Sequence, residues 1–256
     1  MTDMKKKILI ILGTMLVVAG VVLGGIGIRN YLAEKNAGKL YEDLKVGMDI
    51  DPILELPTAG IEKIENPIDF DSLTAEYPDV YAWIRIPGTR VDYPIVQDEA
   101  DANYYLNHTI DGKKKAEGSI YTEDYNSKDF GDANTVIYGH NMKNGSMFKG
   151  LHKYKDKQFL LDNPDIYIYQ KDRVLKYKIF AAYVYDNRHL MLSFDFEDEN
   201  IFRNYLNNVL TKRDMSSNIN TNVDVTASDK IITLSTCNNN DAQRYLVQAV
   251  LISIQE

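Results

Sequence analysis

The sequence predicts a mainly β protein built on a closed or nearly closed eight-stranded β-barrel, with N-terminal helices and one helix inserted between the sixth and seventh strands. Short runs rich in β-branched and aromatic residues recur between turn-forming residues. Many short strands in one domain are typical of barrels, which close and leave no free edge. A long charge-free segment adds one predicted N-terminal transmembrane helix. The predicted strands are residues 81–86, 91–96, 118–121, 134–138, 165–170, 174–185, 230–237 and 244–254.

The charge-free segment is residues 8–28, whose 21 positions are enough for a helix to cross about 30 Å of hydrocarbon. Lys5, Lys6 and Lys7 precede it, and this positive cluster predicts a cytoplasmic N-terminus. A cleavable signal peptide is the alternative, but its apolar region is shorter, about 7–15 residues. We therefore predict a cytoplasmic tip and membrane anchor over residues 1–29, a single pass through the cell membrane, and an extracellular domain beyond the anchor.

Residues 30–67 are predicted to be a stalk between the anchor and the barrel. Apolar residues at loosely helical spacing predict a helix over 30–45, and three prolines predict an extended connection over 49–67. The barrel domain is expected over 68–256. The helical insertions predicted within that domain are residues 146–161 and 197–212.

Acidic residues outnumber basic ones beyond the anchor. The whole chain has a formal net charge of −8, and residues 36–256 carry 24 Lys and Arg against 35 Asp and Glu. Nucleic-acid-binding domains normally present a basic surface, so nucleic acid is not expected as a partner. An acidic surface is not attracted to anionic lipid either. The anchor is therefore the predicted contact with the lipid bilayer.

Cys237 is the single cysteine of the chain. It can form no intrachain disulfide and no four-thiolate zinc site, which leaves a small buried hydrophobe or a nucleophile. Cys237 ends the apolar run of residues 231–237, and the polar residues 238–241 follow at once. A side chain at a strand end is held rigidly and still faces a loop, where catalytic groups tend to lie. This position favours the nucleophile.

A thiol nucleophile needs a base or a cation beside it. Among the four histidines, His140 has the same placement as Cys237, because it follows the strand-like run 134–138 and Gly139, which permits a sharp turn. A buried structural histidine is the alternative. His108 and His189 lie in polar stretches and His152 in a predicted helix, so we expect surface positions whose loss changes turnover little.

Arg244 is the third candidate. A surface cation at the start of a strand is the ordinary interpretation. If the strands ending at Cys237 and starting near Arg244 form an antiparallel hairpin, however, the two side chains come close together. A fixed guanidinium there can hold the oxyanion of a tetrahedral intermediate or a substrate carbonyl.

These residues resemble the active site of sortases, the membrane-anchored transpeptidases of Gram-positive bacteria. The string TLSTC at 233–237, the arginine on the next strand and the upstream histidine carry the resemblance, which extends from about residue 81 to 254. The ordered series makes it specific. Further matching strings are WIRIPGT at 83–89, YPIVQ at 93–97, YYL at 104–106, GSIY at 118–121 and YGHNM at 138–142.

Within that family the chain resembles class B. The helical insert at 197–212 is similar to the helix-bearing connection of class B, and the predicted N-terminal helices and anchor agree with it. Class C, the pilin-polymerising class, is the competitor, because Asp51-Pro52 is similar to its lid motif. Seven positions from Cys237 to Arg244 are few for the family, which predicts a compact loop between them.

The resemblance implies a function and residue roles. Cys237 would attack a threonine carbonyl in the C-terminal sorting signal of secreted surface proteins and form a thioacyl-enzyme. His140 would transfer protons, and Arg244 would stabilise the oxyanion or position the signal. A peptidoglycan precursor or cross-bridge amine would complete cell-wall anchoring. Leu106, Tyr138 and Ser235 are expected to line the substrate groove. No metal and no cofactor are expected.

Two other classes of function remain open at this stage. A secreted cysteine peptidase also uses a thiol and an imidazole. Papain-like peptidases, however, place the cysteine before the histidine and at the N-terminus of a helix, whereas here it follows by 97 positions on a predicted strand. A non-catalytic wall-binding domain would neither trap a thioacyl adduct nor react selectively with thiol reagents.

Overall fold

The computed structural model describes residues 3–48, 66–238 and 242–256. These residues divide into two units, 1–37 and 38–256. The first unit consists of helix α1 (Asp3–Asn36). α1 is long and apolar enough to cross a membrane, as judged by length and composition alone, a test that signal sequences and some core helices also pass.

The second unit begins with two short helices, α2 (Lys39–Gly47) and α3 (Phe70–Glu76). The predicted helix over 30–45 is therefore interrupted, because Gly38 adopts a φ of 79° between α1 and α2. A Cβ on Gly38 would lie 2.9 Å from Ser146 Cβ, so a larger residue would meet the domain there. The Tyr41 hydroxyl on α2 donates to the Gly118 carbonyl at 2.7 Å, which fixes α2 on the barrel. Most of the predicted extended connection, residues 49–65, lies outside the described residues, and so does Asp51-Pro52.

The described strands form a closed barrel. Their order around it is β5-β1-β2-β3-β4-β8-β9-β6, and β6 pairs with β5 to complete the ring. The predicted eight-stranded barrel is thus confirmed, and one further strand of two residues, β7, pairs with β6. The strand bounds are β1 (Val80–Arg85), β2 (Asp92–Val96), β3 (Ile120–Thr122), β4 (Asn134–Tyr138), β5 (Asp165–Gln170), β6 (Arg173–Asp186), β7 (Asn218–Ile219), β8 (Ile231–Cys237) and β9 (Gln243–Gln255).

Two neighbour pairs in the ring run parallel, and the others run antiparallel. The parallel pairs are β2 with β3 and β4 with β8. Parallel neighbours end at the same edge of a sheet. The ends of β4 and β8, at Tyr138 and Cys237, therefore lie together at one rim of the barrel although they are far apart in the sequence.

The inserted helix is α6 (Glu199–Leu210), and it lies between β6 and β7 as predicted. The Asp198 side chain caps its N-terminus by accepting from the backbone N–H groups of Asn200 and Ile201. Its buried face packs in one apolar cluster with residues of β4, β6, β8 and β9. That face consists of Phe202, Tyr205, Leu206 and Val209.

The prediction of one continuous helix over 146–161 is wrong, because two separate helices occur there. Residues Phe148–Lys155 form a 3-10 helix, and α4 (Lys157–Asp162) is a separate helix. Asp156 divides them, because its extended backbone ends the first helix and its side chain caps the second. A fourth short helix of the domain, α5 (Leu190–Ser193), follows β6.

Candidate active site

Cys237 and Arg244 are direct partners across the β8–β9 ladder. The Asn238 N–H donates to the Gln243 carbonyl at 3.3 Å, so the next pair inward, Cys237 with Arg244, is a non-hydrogen-bonded pair. Side chains of such a pair stand close together on one face of the sheet. Both side chains are half-buried. The predicted hairpin geometry therefore exists, whereas residues 239–241, where a compact loop is expected, lie outside the described residues.

His140 reaches the same rim from β4. Tyr138 pairs with Ser235 of β8, and the Gly139 N–H donates to the Ser235 carbonyl at 3.1 Å. His140 is thus two residues past the end of β4, as Cys237 is at the end of β8. Gly139 does not use the left-handed φ that is open to glycine. It is needed for close packing instead, because a Cβ there would lie 2.5 Å from Ile120 Cδ1.

One pocket of about 220 Å³ is lined by all six predicted site residues. The six residues come from three strands and two connections, so the fold brings together positions that lie between residues 106 and 244 of the sequence. Tyr121, Glu123 and His189 line the same pocket and were not predicted. The six predicted residues are Leu106, Tyr138, His140, Ser235, Cys237 and Arg244.

His140 is held at the mouth of the pocket by Leu106. Its Nε2 lies 2.7 Å from the Leu106 carbonyl oxygen, and since a carbonyl only accepts, Nε2 carries the proton of this bond. The Phe148 N–H donates to the His140 carbonyl at 2.9 Å and fixes the backbone. Leu106, whose side chain is 41% exposed, is therefore both a wall of the pocket and the orienting partner of the imidazole.

Two stacked tyrosines form another wall of the pocket. Tyr121 of β3 and Tyr138 of β4 are ladder partners, and their ring centroids are 5.4 Å apart. Burial raises the pKa of both phenols well above its ordinary value, and the negative charge of Glu123 adds to this rise. Arg244 opposes the rise in each pKa, which places its positive charge in the same small volume. Both hydroxyls therefore stay protonated at neutral pH.

Glu123 and His189 form a pair that sequence reasoning missed. His189 Nε2 lies 2.6 Å from Glu123 Oε2, and the side chains are 29% and 7% exposed. His189 also begins α5, where its Nδ1 accepts from the Leu192 N–H at 3.3 Å. The expectation that His189 is solvated is wrong, because a carboxylate buried just after β3 gives it a partner. Glu123 follows a strand of only three residues, so its burial left no periodic signal in the sequence.

His152 is also placed differently from the prediction. It lies on the 3-10 helix Phe148–Lys155, and its Nε2 is 3.1 Å from the carbonyl oxygen of Cys237. A helix that follows β4 by nine residues thus contacts the backbone of the candidate nucleophile. No cluster of three or more metal-ligating side chains occurs among the residues that the structure describes.

Comparison with known proteins agrees with this geometry. The family model of the sortase domain matches residues 84–252. Sortase B of Listeria monocytogenes is 37% identical over 178 residues, which cover 68% of this chain and 70% of that protein.

Solved structures are similar over most of the chain. The crystal structure of Staphylococcus aureus sortase B covers 87% of this chain and 99% of its own, with a TM-score of 0.67 and 26% identity. A complex of Staphylococcus aureus sortase B with a substrate covers 88% and 94% of the two chains, with a TM-score of 0.64 and 26% identity.

Proposed function

This chain belongs to the sortase family and to its class B, and from that premise we propose that it is a membrane-anchored cysteine transpeptidase that attaches secreted proteins to the cell wall. The observation that carries the proposal is the convergence of Cys237, His140 and Arg244 on one pocket at the rim where β4 and β8 end and β9 begins. A thiol, an imidazole and a guanidinium in one pocket provide a nucleophile, a proton carrier and an oxyanion partner.

In the proposed first step, the Cys237 thiolate attacks the carbonyl carbon of a threonine in the sorting signal. The carbon–sulfur bond forms, and the negative charge moves to the carbonyl oxygen. When the intermediate collapses, the peptide C–N bond breaks, and the His140 imidazolium gives its proton to the departing amine. The product is a thioacyl-enzyme joined to the secreted protein.

In the second step, an amine of a peptidoglycan precursor or cross-bridge attacks the thioester. The neutral His140 takes a proton from this amine, the new C–N bond forms, and the carbon–sulfur bond breaks to release the Cys237 thiolate. The same imidazole therefore serves as acid in one half-reaction and as base in the other. Its bond to the Leu106 carbonyl keeps the ring at the mouth of the pocket between the steps.

Arg244 is proposed to stabilise the oxyanion in both steps. As the ladder partner of Cys237, it lies beside the bond that forms and breaks. Its guanidinium can donate two parallel hydrogen bonds, which an ammonium cannot. Leu106, Tyr138 and Ser235 are proposed to hold the sorting signal, because they extend the pocket wall on either side of the reacting groups.

The proposed location follows from α1. The apolar segment of α1, residues 8–28, follows Lys5, Lys6 and Lys7. This order supports a single-pass anchor with a cytoplasmic N-terminus and a catalytic unit outside the cell. The proposed organisation is a tip and anchor over 1–29, a stalk over 30–67 and a catalytic barrel over 68–256. Anchoring would hold the enzyme at the surface where secreted proteins and lipid-linked wall precursors both appear.

The full-length enzyme in detergent, incubated with a peptide library that fixes threonine and varies its neighbours, tests the proposal. Mass spectrometry should find a thioacyl adduct on Cys237, and added triglycine or diaminopimelate should convert the adduct to a ligated product. Cys237→Ala should keep the fold and lose both products. Turnover by Cys237→Ala would refute the nucleophile, and hydrolysis that no added amine diverts would identify a cysteine peptidase instead.

A further inference from the structure

The carbonyl oxygen of Cys237 is held by side chains, although it lies at the end of a strand. Along β8, the Ser235 carbonyl accepts from the N–H of Gly139, the residue that directly follows the neighbouring β4. Carbonyls two residues apart on a strand point the same way, so the Cys237 carbonyl also points toward β4. β4 ends at Tyr138, however, and at this level the donors are two side chains.

The first donor is Asn141, whose Nδ2 donates to the Cys237 carbonyl at 3.0 Å. The second is His152, whose Nε2 lies 3.1 Å from the same oxygen. Because the carbonyl can only accept, both bonds run toward it, and the His152 proton is on Nε2. The two donors come from the turn after β4 and from the 3-10 helix Phe148–Lys155. They therefore connect both of these segments to β8 at the backbone of Cys237.

His152 is itself held in place. Its ring stacks on Tyr245 of β9, with centroids 5.1 Å apart and planes 21° apart. Lys155 Nζ lies 5.2 Å from the Tyr245 ring centroid and donates to Asn238 Oδ1 at 2.9 Å. Burial, followed by the charge of Lys155, lowers the pKa of His152 to about 4. The ring is therefore neutral at the pH of the cell surface.

We propose that His152 is a positioning residue for the reaction: through its bond to the Cys237 carbonyl, it fixes the main chain that carries the nucleophile. The residue touches no reacting atom, and this inference rests on the proposed function of Cys237. A strand end that lacks a ladder partner on one side, as Cys237 does on the β4 side, moves more freely than a strand interior. Displacement of a nucleophile by 1 Å costs on the order of 10²-fold in rate. Since Asn141 remains as second donor, we expect a smaller loss, about tenfold.

The test compares His152→Gln with His152→Phe in the full-length enzyme. Glutamine retains an N–H donor of similar reach, whereas phenylalanine retains the ring stack on Tyr245 and has no donor. We expect His152→Phe to lower the single-turnover acylation rate about tenfold with KM within twofold. His152→Gln should stay within threefold of the parent. Equal activity of all three proteins, or equal loss in both variants, would overturn the proposal.

A second measurement depends on neither turnover nor the identity of the sorting signal. Cys237 is the single cysteine, so ¹³C-carbonyl cysteine labels one carbonyl of the chain. Isotope-edited infrared spectra of the full-length protein in detergent should show this carbonyl at higher frequency in His152→Phe and at nearly the parent frequency in His152→Gln. An unchanged frequency in His152→Phe would refute the hydrogen bond even if the proposed function holds. If His152→Phe does not fold, His152→Leu takes its place in both measurements.

Discussion

The hydrogen bond between His189 and Glu123 joins the connection after β6 to the barrel. His189, with the buried Leu190 after it, lines the pocket from this connection, and Glu123 belongs to the barrel wall. His189→Ala removes the imidazole and leaves the Glu123 carboxylate buried without this partner. We expect weaker substrate binding, because the wall of the pocket is no longer fixed to the barrel.

The magnitude follows from the two exposures and the distance. A 2.6 Å bond to a carboxylate that is 7% exposed is charge-assisted, and such bonds contribute about 1.5–3 kcal/mol. His189 is 29% exposed, so a middle value of about 2 kcal/mol is appropriate. Loss of that energy lowers the ratio of molecules with an anchored connection to molecules with a detached connection about 30-fold. Because Leu190 stays buried in the apolar cluster, part of the restraint remains, and we expect KM to rise about 3- to 30-fold.

Steady-state transfer kinetics check this result, with kcat expected within threefold of the parent. Glu123→Gln keeps an acceptor oxygen without the charge and should raise KM by about threefold or less. Lys171→Ala is the matched control, since it breaks an ion pair with Asp71 whose two side chains are 61% and 78% exposed and remote from the pocket. A KM within twofold of the parent for His189→Ala would refute the anchoring role.

Three further predictions concern the proposed catalytic groups and His152. Arg244→Lys should lower kcat/KM about 10²-fold or more, as expected for an oxyanion donor. Arg173→Lys, which is remote from the pocket, should leave kcat/KM unchanged. A decrease in kcat/KM of less than threefold for Arg244→Lys would mean that Arg244 has only a structural role. His140→Ala should stop both acylation and resolution in single-turnover assays while His108→Ala retains turnover, and an active His140→Ala enzyme would contradict the assignment. Because the folded pKa of His152 lies below the ordinary 6.5, the unfolded chain binds the extra proton as pH falls from about 6.5 to about 4, and stability is lost over that window. After allowance for the partial exposure of His152, this loss of stability is about 1 kcal/mol. Between pH 7 and 4.5, the Tm of the parent should therefore fall about 2–4 °C more than the Tm of His152→Gln. Equal falls in Tm would contradict the lowered pKa.

The barrel strands could be predicted from the sequence because each is a short apolar run with a turn at both ends. The predicted run 134–138 coincides with β4, and 165–170 coincides with β5. The inserted helix was predictable for a similar reason, since its buried residues recur at helical spacing and Asp198 caps it. Local signals of this kind depend only on neighbouring residues, so they are visible without knowledge of the fold.

The contacts of the secondary histidines could not be predicted, because their partners are distant in sequence. His189 is 66 residues from Glu123, and His152 is 85 residues from Cys237. Neither Glu123 nor a backbone carbonyl leaves a pattern that marks it as a partner. The division of residues 146–161 into a 3-10 helix and α4 was also hidden, since Asp156 can stand in a helix or cap one.

The meeting of His140 with Cys237 has a cause that neither strand contains by itself. Each residue shows its strand-end position in the sequence, but an antiparallel pairing of β4 with β8 would place the two ends at opposite rims of the barrel. The parallel pairing, with Tyr138 beside Ser235, places both ends at one rim. It also explains the environment of the nucleophile. β4 ends opposite Ser235, two residues before the end of β8, so the Cys237 carbonyl has Asn141 and His152 as donors where a continued strand would supply a backbone N–H group. The same early end of β4 that opens the pocket for His140 therefore creates the need for positioning side chains behind Cys237.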